Sequence, residues 1–385
     1  MTEQVKKVIL VTNSSSYEPR AELVGDFFEQ CGCRVLWVES DFIHREKQKK
    51  ARQQEKHVYL DTFPYQKNLS VRRLYSHWDF AKKAEAFLKE QQADLLYVLV
   101  PANALTPAAV KAARALSAKL VIDVIDLWPE SLGMRKLKRV WPFSVWTGLR
   151  DKWLNCADVV LTECAMYQQQ LPVKQEKTAV MYWPKEQQAE AYDFHGEADC
   201  LHFVYLGSIN NIIDIGGIIK LLAAVKQWTR PVLHMIGDGE RRKTLLQCLQ
   251  EAQIETVYHG AIYDEKEKKN IFARCSYGIN MMKPGVCVGL TMKSIDYFCY
   301  GIPLVNNIPG DTWELVEEYG IGINVKSGQE EMAARQIADC AKQLQEKRSQ
   351  IQEIYENNFT KAAMNRVLRE RVLPLLKEEK LQEET

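Results

Sequence analysis

Residues 286–305, VCVGLTMKSIDYFCYGIPLV, set a lysine and an aspartate three positions apart, Lys293 and Asp296, at the front of an amphipathic stretch. Gly289 supplies a turn, Leu290 leads in, Thr291 is a candidate N-cap and Met292 opens the helical pattern. The free N–H groups and dipole of a helix start favour an anion, and Lys293 adds a point charge suited to phosphate. Asp296 projects from a neighbouring face, where a carboxylate can accept both hydrogen bonds of a ribose 2′,3′-diol. Phosphate and diol together are what a nucleoside diphosphate presents. An aspartate placed for the helix dipole beside a solvated lysine fits the same spacing.

Such a pair needs a rigid frame. The run 7–12 (KVILVT), a helical pattern over 21–30, Gly32 and the run 34–38 (RVLWV) spell strand, helix, strand. The rhythm recurs through 94–100, 119–125 and 157–162, and continuous apolar runs imply strands buried on both faces of a parallel sheet. Residues 185–200 are polar and aperiodic, as a linker is. A second series follows, with strands at 201–207, 231–237, 256–260, 277–282 and 302–305. The expected class is therefore α/β, with two Rossmann-like doubly wound parallel-sheet domains facing a cleft. The expected boundaries are 1–190, 191–360 and a C-terminal helical segment, 361–385, packing back on the first domain.

Composition narrows the function classes. The 385 residues suit two domains better than one core. Net charge is +1, so no general attraction to nucleic acid is expected. The ten cysteines form no CxxC pair, as expected of reduced thiols in the cytoplasm. Neither a signal peptide nor an apolar run of membrane-spanning length is recognised.

The segment 290–325 resembles the donor-binding region of the retaining glycosyltransferases of family four, which have the GT-B fold. Asp296 stands where the second Glu of their Glu-x7-Glu pattern falls, and Gly301-Ile302-Pro303 matches the turn after it. Val288 occupies the first Glu position. The segment 204–224 resembles their glycine-rich loop, offering Gly207, with Ser208 and Asn210 where Arg and Lys are common. The segment 233–245 resembles their Gly-x-Gly turn, offering Gly237 and Arg241, and 257–282 resembles the base-reading segment, offering Ile262 and Tyr263. The resemblance implies a donor site of Gly207, Ser208, Asn210, Gly237, Arg241, Ile262, Tyr263, Gly289, Leu290, Thr291, Met292 and Asp296. In that site Lys293 would stabilise the leaving diphosphate without a metal or cofactor.

The first domain then implies the acceptor. DLWPE, 126–130, recurs in a branch of that family building bacterial surface polysaccharides, and makes Asp126 and Glu130 candidate catalytic carboxylates. An N-cap aspartate with Trp128 as core filler is the plainer alternative. Ile125 stands beside Asp126 where relatives carry a His. Ser14, Ser15, Ser16, Arg20 and Asn103 complete the acceptor-facing set.

Basic residues interleave with tryptophans over 134–154, which marks a candidate contact with an anionic membrane at the inner face of the cell. Basic stretches also occupy 44–56 and 64–77. The expected partners are a nucleotide-diphosphate sugar, UDP-linked in preference, and a glycan or polyprenyl-diphosphate-linked saccharide. A non-catalytic GT-B-like subunit and a sugar-nucleotide epimerase are the competing readings.

Overall fold

The computed structural model describes residues 5–50, 55–67, 70–132, 140–185, 194–196 and 199–377. The chain divides into two compact units, Met1–Trp183 with Lys361–Thr385, and Pro184–Thr360. The division falls at Trp183–Pro184 rather than at 190–191. Trp183 packs on the first unit's core, whereas the Lys185 amide already donates to the Phe359 carbonyl of the second unit.

In the first unit the order is β1 (Lys7–Thr12), α1 (Glu18–Gln30), β2 (Arg34–Ser40), the short pair β3 (Phe42–Ile43) and β4 (Gln48–Lys49), β5 (His57–Leu60), and α2 (Val71–Lys89). There follow β6 (Leu95–Val100), α3 (Leu105–Leu116), β7 (Lys119–Val124), α4 (Phe143–Asp151), β8 (Val159–Thr162), α5 (Ala165–Gln170) and β9 (Thr178–Val180). Seven strands form a parallel sheet in the order β5-β2-β1-β6-β7-β8-β9. All of β6 and all but the first residue of β1 and β7 are buried, which is why these segments lack alternation.

The second unit runs β10 (Cys200–Leu206), α6 (Ile215–Val225), β11 (Arg230–Ile236), α7 (Arg242–Glu251), β12 (Glu255–Gly260), α8 (Glu265–Phe272), β13 (Tyr277–Asn280) and α9 (Met292–Cys299). It continues through β14 (Leu304–Asn306), α10 (Asp311–Tyr319), β15 (Gly322–Asn324), α11 (Glu330–Glu346) and α12 (Arg348–Asn358). Its six parallel strands lie in the order β12-β11-β10-β13-β14-β15. The last helix, α13 (Lys361–Arg371), belongs to the first unit, where Met364, Leu368, Val372 and Leu376 complete the core.

Both sheets reverse strand order beside their first strand, between β1 and β6 and between β10 and β13. Open α/β sheets bind ligands at the carboxyl ends of strands at such a reversal. In this chain those ends are the residues just after β1, β6 and β7, and just after β10, β11 and β13.

Candidate functional site

In the second unit the loops after β10, β11 and β12 are locked together through their backbones. Gly207 N–H donates to the Ile236 carbonyl (2.8 Å), Gly237 N–H to the Gly260 carbonyl (2.7 Å) and Ile209 N–H to the Asp238 carbonyl (2.9 Å). The approach requires glycine at 237: its φ is +135°, and a Cβ there would lie 2.0 Å from the Gly207 carbonyl oxygen. Ser208 is exposed, and its carbonyl accepts from the Tyr205 hydroxyl (2.9 Å). Ile262 is half-buried and Tyr263 is 88% exposed, just beyond Gly260.

The helix α9 starts beside this ridge. Thr291 is its N-cap, accepting from the Ser294 N–H (3.2 Å) and held by Asn280 Oδ1 (3.2 Å); such a cap is worth about 1 kcal/mol. The Gly289 carbonyl is clamped by the N–H and hydroxyl of Thr312, so this glycine serves as an anchored lead-in rather than a loose turn. Leu290 is buried and Met292 is exposed. α9 can lie close on β13 because Gly278 faces the Tyr297 ring, where a Cβ would meet carbon at 2.7 Å.

Lys293 reaches the end of β10. Its Nζ donates to the Tyr205 hydroxyl (3.1 Å) and lies 4.3 Å from that ring's centroid. Burial lowers its pKa to about 8. Lys293, Tyr205 and Ser208 thus form a chain that ties the α9 start to the glycine loop. Gly207, Ser208, Gly237, Thr291 and Lys293 are brought together at the β10–β13 reversal. Beside them a cavity of about 330 Å³ is lined by Met282, Val286, Val288, Ile308, Trp313 and Lys326, among others.

Three donor candidates lie differently from the expectation. Asn210 Oδ1 accepts from the Ile212 N–H (3.1 Å), so its side chain closes its own turn. Arg241 lines a separate groove of about 550 Å³ between α6 and α7, to which α9 contributes no lining residue. Asp296 sits on the other flank of α9, ion-paired with Lys185. Burial raises its pKa, with Lys185 and then Lys268 acting in the opposite direction.

The first unit corrects more. Arg20 is fully buried and holds Asp123 through Nε (2.8 Å) and Nη2 (3.0 Å), while the Met181 carbonyl (2.8 Å) takes another N–H. It is a core ion pair, not a contact for an acceptor's anion. Glu130 is also buried and grips Arg150 at 3.0 and 3.4 Å, which removes it from the catalytic candidates. Asn103, likewise buried, donates to the carbonyls of Trp128 and Trp146 (3.0 Å each), so it positions that segment instead of touching a ligand.

Asp126 remains. It is half-buried just past β7 and accepts from Trp128 Nε1 (2.7 Å) and Ser131 Oγ (2.5 Å). Burial raises its pKa, against those hydrogen bonds and the Arg73 charge. Ser14, Ser15 and Ser16 are half-buried in the turn before α1, where Ser14 Oγ accepts from the Ser16 N–H (3.3 Å).

Of the segment 134–154, residues 134–139 lie outside the described residues. Trp141 is 78% exposed, and Val140 and Val145 are exposed. Arg150, by contrast, is spent on Glu130 and Asp151 and offers no surface charge.

Sequence reasoning missed Tyr205 and Lys185. Lys185 lies 111 residues from Asp296 in an aperiodic stretch, so nothing in the spacing announces the pair. Among the described residues no cluster of His, Cys, Asp and Glu is arranged to hold a metal, and no helix is long and apolar enough to cross a membrane.

No family model matches the sequence, and no curated protein matches it significantly. Solved structures do. A glycosyltransferase from Rickettsia africae superposes with a TM-score of 0.65 at 13% identity, covering 98% of this chain and 100% of that one. The lipopolysaccharide outer core galactosyltransferase WaaB gives 0.67 at 14%, covering 96% and 99%. HepE of Anabaena, solved with UDP and glucose, gives 0.62 at 17%, covering 95% and 98%. At these identities the likeness establishes the fold: two parallel-sheet α/β domains of the GT-B kind.

Proposed function

We propose that the chain is a retaining glycosyltransferase that takes a sugar from a nucleotide-diphosphate donor, UDP-linked in preference. The observation that carries this is Lys293, held over Tyr205 beside the amino end of α9 at the point where the second sheet reverses. A diphosphate there meets free helix amides and a cation, while the glycine ridge leaves room for backbone approach. The sugar ring has the adjoining cavity bounded by Val288 and Trp313. That HepE is solved with UDP and with UDP-glucose supports the donor class.

Charge builds on the departing diphosphate in the transition state, and fixed donors aimed at it lower the barrier more than they aid ground-state binding. Lys293 and the α9 amides fill that role in a metal-independent transfer. In the first unit Asp126, its pKa raised by burial, serves as the carboxylate that orients or deprotonates an acceptor hydroxyl. The acceptor is a glycan or lipid-linked saccharide of surface-polysaccharide synthesis. The exposed Trp141 and its neighbours supply the contact with an anionic membrane.

The test is a thermal-shift screen of UDP-, GDP- and dTDP-sugars, followed by turnover of the ligand that binds, in EDTA, with the product anomer read by NMR. The expected result is binding, turnover without metal and retained configuration. Lys293→Met should weaken nucleotide binding and abolish turnover. Normal nucleotide affinity in that variant sinks the assignment. The engagement of Asp296 by Lys185 favours a non-catalytic binding subunit; turnover above background by the isolated chain excludes it.

A further inference from the structure

The cavity beside α9 carries a charge pattern that transfer of a neutral sugar does not call for. It lies past the carboxyl ends of β13, β14 and β15, and its walls are largely apolar, with Met282, Val286, Val288, Ile308 and Val325 joined by Trp313 of α10. Among the described residues no aspartate or glutamate lines it, but two lysines do, Lys283 and Lys326. Both are exposed. Neither ammonium has a hydrogen bond, ion pair or ring contact among the described residues.

Both lysines rise from anchored backbone. The Met282 N–H donates to Asn307 Oδ1 (2.7 Å), Asn307 Nδ2 donates to the Met282 carbonyl (3.0 Å), and the Lys283 N–H donates to the Ile212 carbonyl (2.8 Å). On the far side the Val325 N–H donates to the Asn306 carbonyl (2.7 Å), and the Gln329 N–H closes a turn on the Lys326 carbonyl (3.0 Å). β13 and β15 flank β14, so the two lysines leave the sheet two strand spacings apart, about 10 Å. Ile308 and Pro309, just past β14, line the space between. Lys283 also borders the groove between α6 and α7.

An ammonium group donates hydrogen bonds and accepts none. The other polar side chains of the lining are Asn307, whose amide is committed to the Met282 backbone, and Ser327. Glu330, four residues beyond Lys326, accepts from the Gly328 N–H (3.1 Å), and Glu317 accepts from Trp313 Nε1 (2.7 Å). A neutral hexose brings hydroxyls that need acceptors as much as donors, and these side chains offer mainly charged donors. A carboxylate accepts without donating, and apolar walls focus the field of the two lysines on whatever enters.

We propose that the transferred sugar is acidic, a hexuronic acid whose carboxylate is held by Lys283 and Lys326. This rests on the reading of α9 and the adjoining cavity as the donor site. Lys293 and the helix amides hold the diphosphate, and the two loop lysines distinguish an acidic sugar from a neutral one.

Calorimetric titration of the full chain with UDP, UDP-glucose, UDP-galactose, UDP-glucuronate and UDP-galacturonate is the test. At least one UDP-hexuronate should bind tenfold or more tightly than the hexose of the same configuration. Lys283→Gln and Lys326→Gln should each reduce that preference and the double variant should abolish it, with UDP affinity unchanged in all three. Lys326→Arg should keep the preference, and Lys326→Glu should reverse it in favour of the neutral sugar. Wild-type chain that binds UDP without preferring a hexuronate overturns this inference and leaves the glycosyltransferase reading standing. A preference that survives in the double variant also overturns it, because the carboxylate is then held elsewhere. Wild-type chain that fails to bind UDP at all overturns both.

Discussion

The role proposed for Lys293 rests on an uncomfortable position. Burial against Tyr205 lowers its pKa to about 8, because the charged form is partly stripped of water. A bound diphosphate would supply the missing counter-charge and raise that pKa. Between pH 8 and the higher value in the complex, nucleotide binding should therefore take up a proton. UDP affinity should hold up to about pH 8 and then fall by roughly tenfold per unit as the free lysine deprotonates. Calorimetry in buffers of different ionisation enthalpy checks the proton uptake. Lys293→Met should weaken UDP binding by about 1.5–3 kcal/mol, the worth of a charge-assisted hydrogen bond, and flatten the pH profile. Proton release, or an unchanged profile, contradicts the site.

Arg20 shows what a single residue's sequence context conceals. It was legible as a cation near the end of the first strand, but its partner Asp123 is 103 residues away. Because both side chains are fully buried, Arg20→Met should leave an uncompensated carboxylate and cost about 3–5 kcal/mol. Urea unfolding measures this. A ligand-binding arginine would instead raise the acceptor KM with the unfolding midpoint unchanged.

At the scale of elements, strands buried on both faces announce themselves and strands at the margins do not. β1, β6, β7, β10 and β11 are continuous apolar runs and were legible to within a residue or two. β5 is half-buried throughout, and β9 and β15 have three residues each, so none has enough apolar sequence to stand out from a loop. The cap at Thr291 was legible because N-caps act locally. The interlocking of three strand-end loops was not, because it runs through backbone atoms that any residue possesses. Only the glycines betray it, and Gly237 is the most exacting. Gly237→Ala puts a side chain at φ +135° and 2.0 Å from the Gly207 carbonyl oxygen, so the ridge must shift. UDP affinity should fall at least tenfold with the second unit still folded by circular dichroism. Unaltered affinity would place the nucleotide away from the ridge.

For the whole molecule, the path of the chain makes a claim about stability that neither sheet makes alone. After completing the second unit the chain supplies α13 to the first, where Met364, Leu368 and Val372 are nearly inaccessible and Leu376 is 8% exposed. Emptying one such position costs about 2–5 kcal/mol, and a domain's total stability is about 5–15 kcal/mol. Losing all four exceeds what a unit of ordinary stability can absorb. Deleting residues 361–385 should therefore unfold the first unit. The second, whose core cluster draws on α6, α7 and α11, should remain folded. Every residue of the candidate donor site lies within 184–360, so the truncated chain should still bind UDP at near wild-type affinity while losing transfer. Scanning calorimetry of the truncated chain should show one transition, shifted upward by UDP. A second transition surviving the deletion would show that the first unit does not depend on α13. Loss of UDP binding with the remaining transition intact would mean that the donor site draws on the first unit as well.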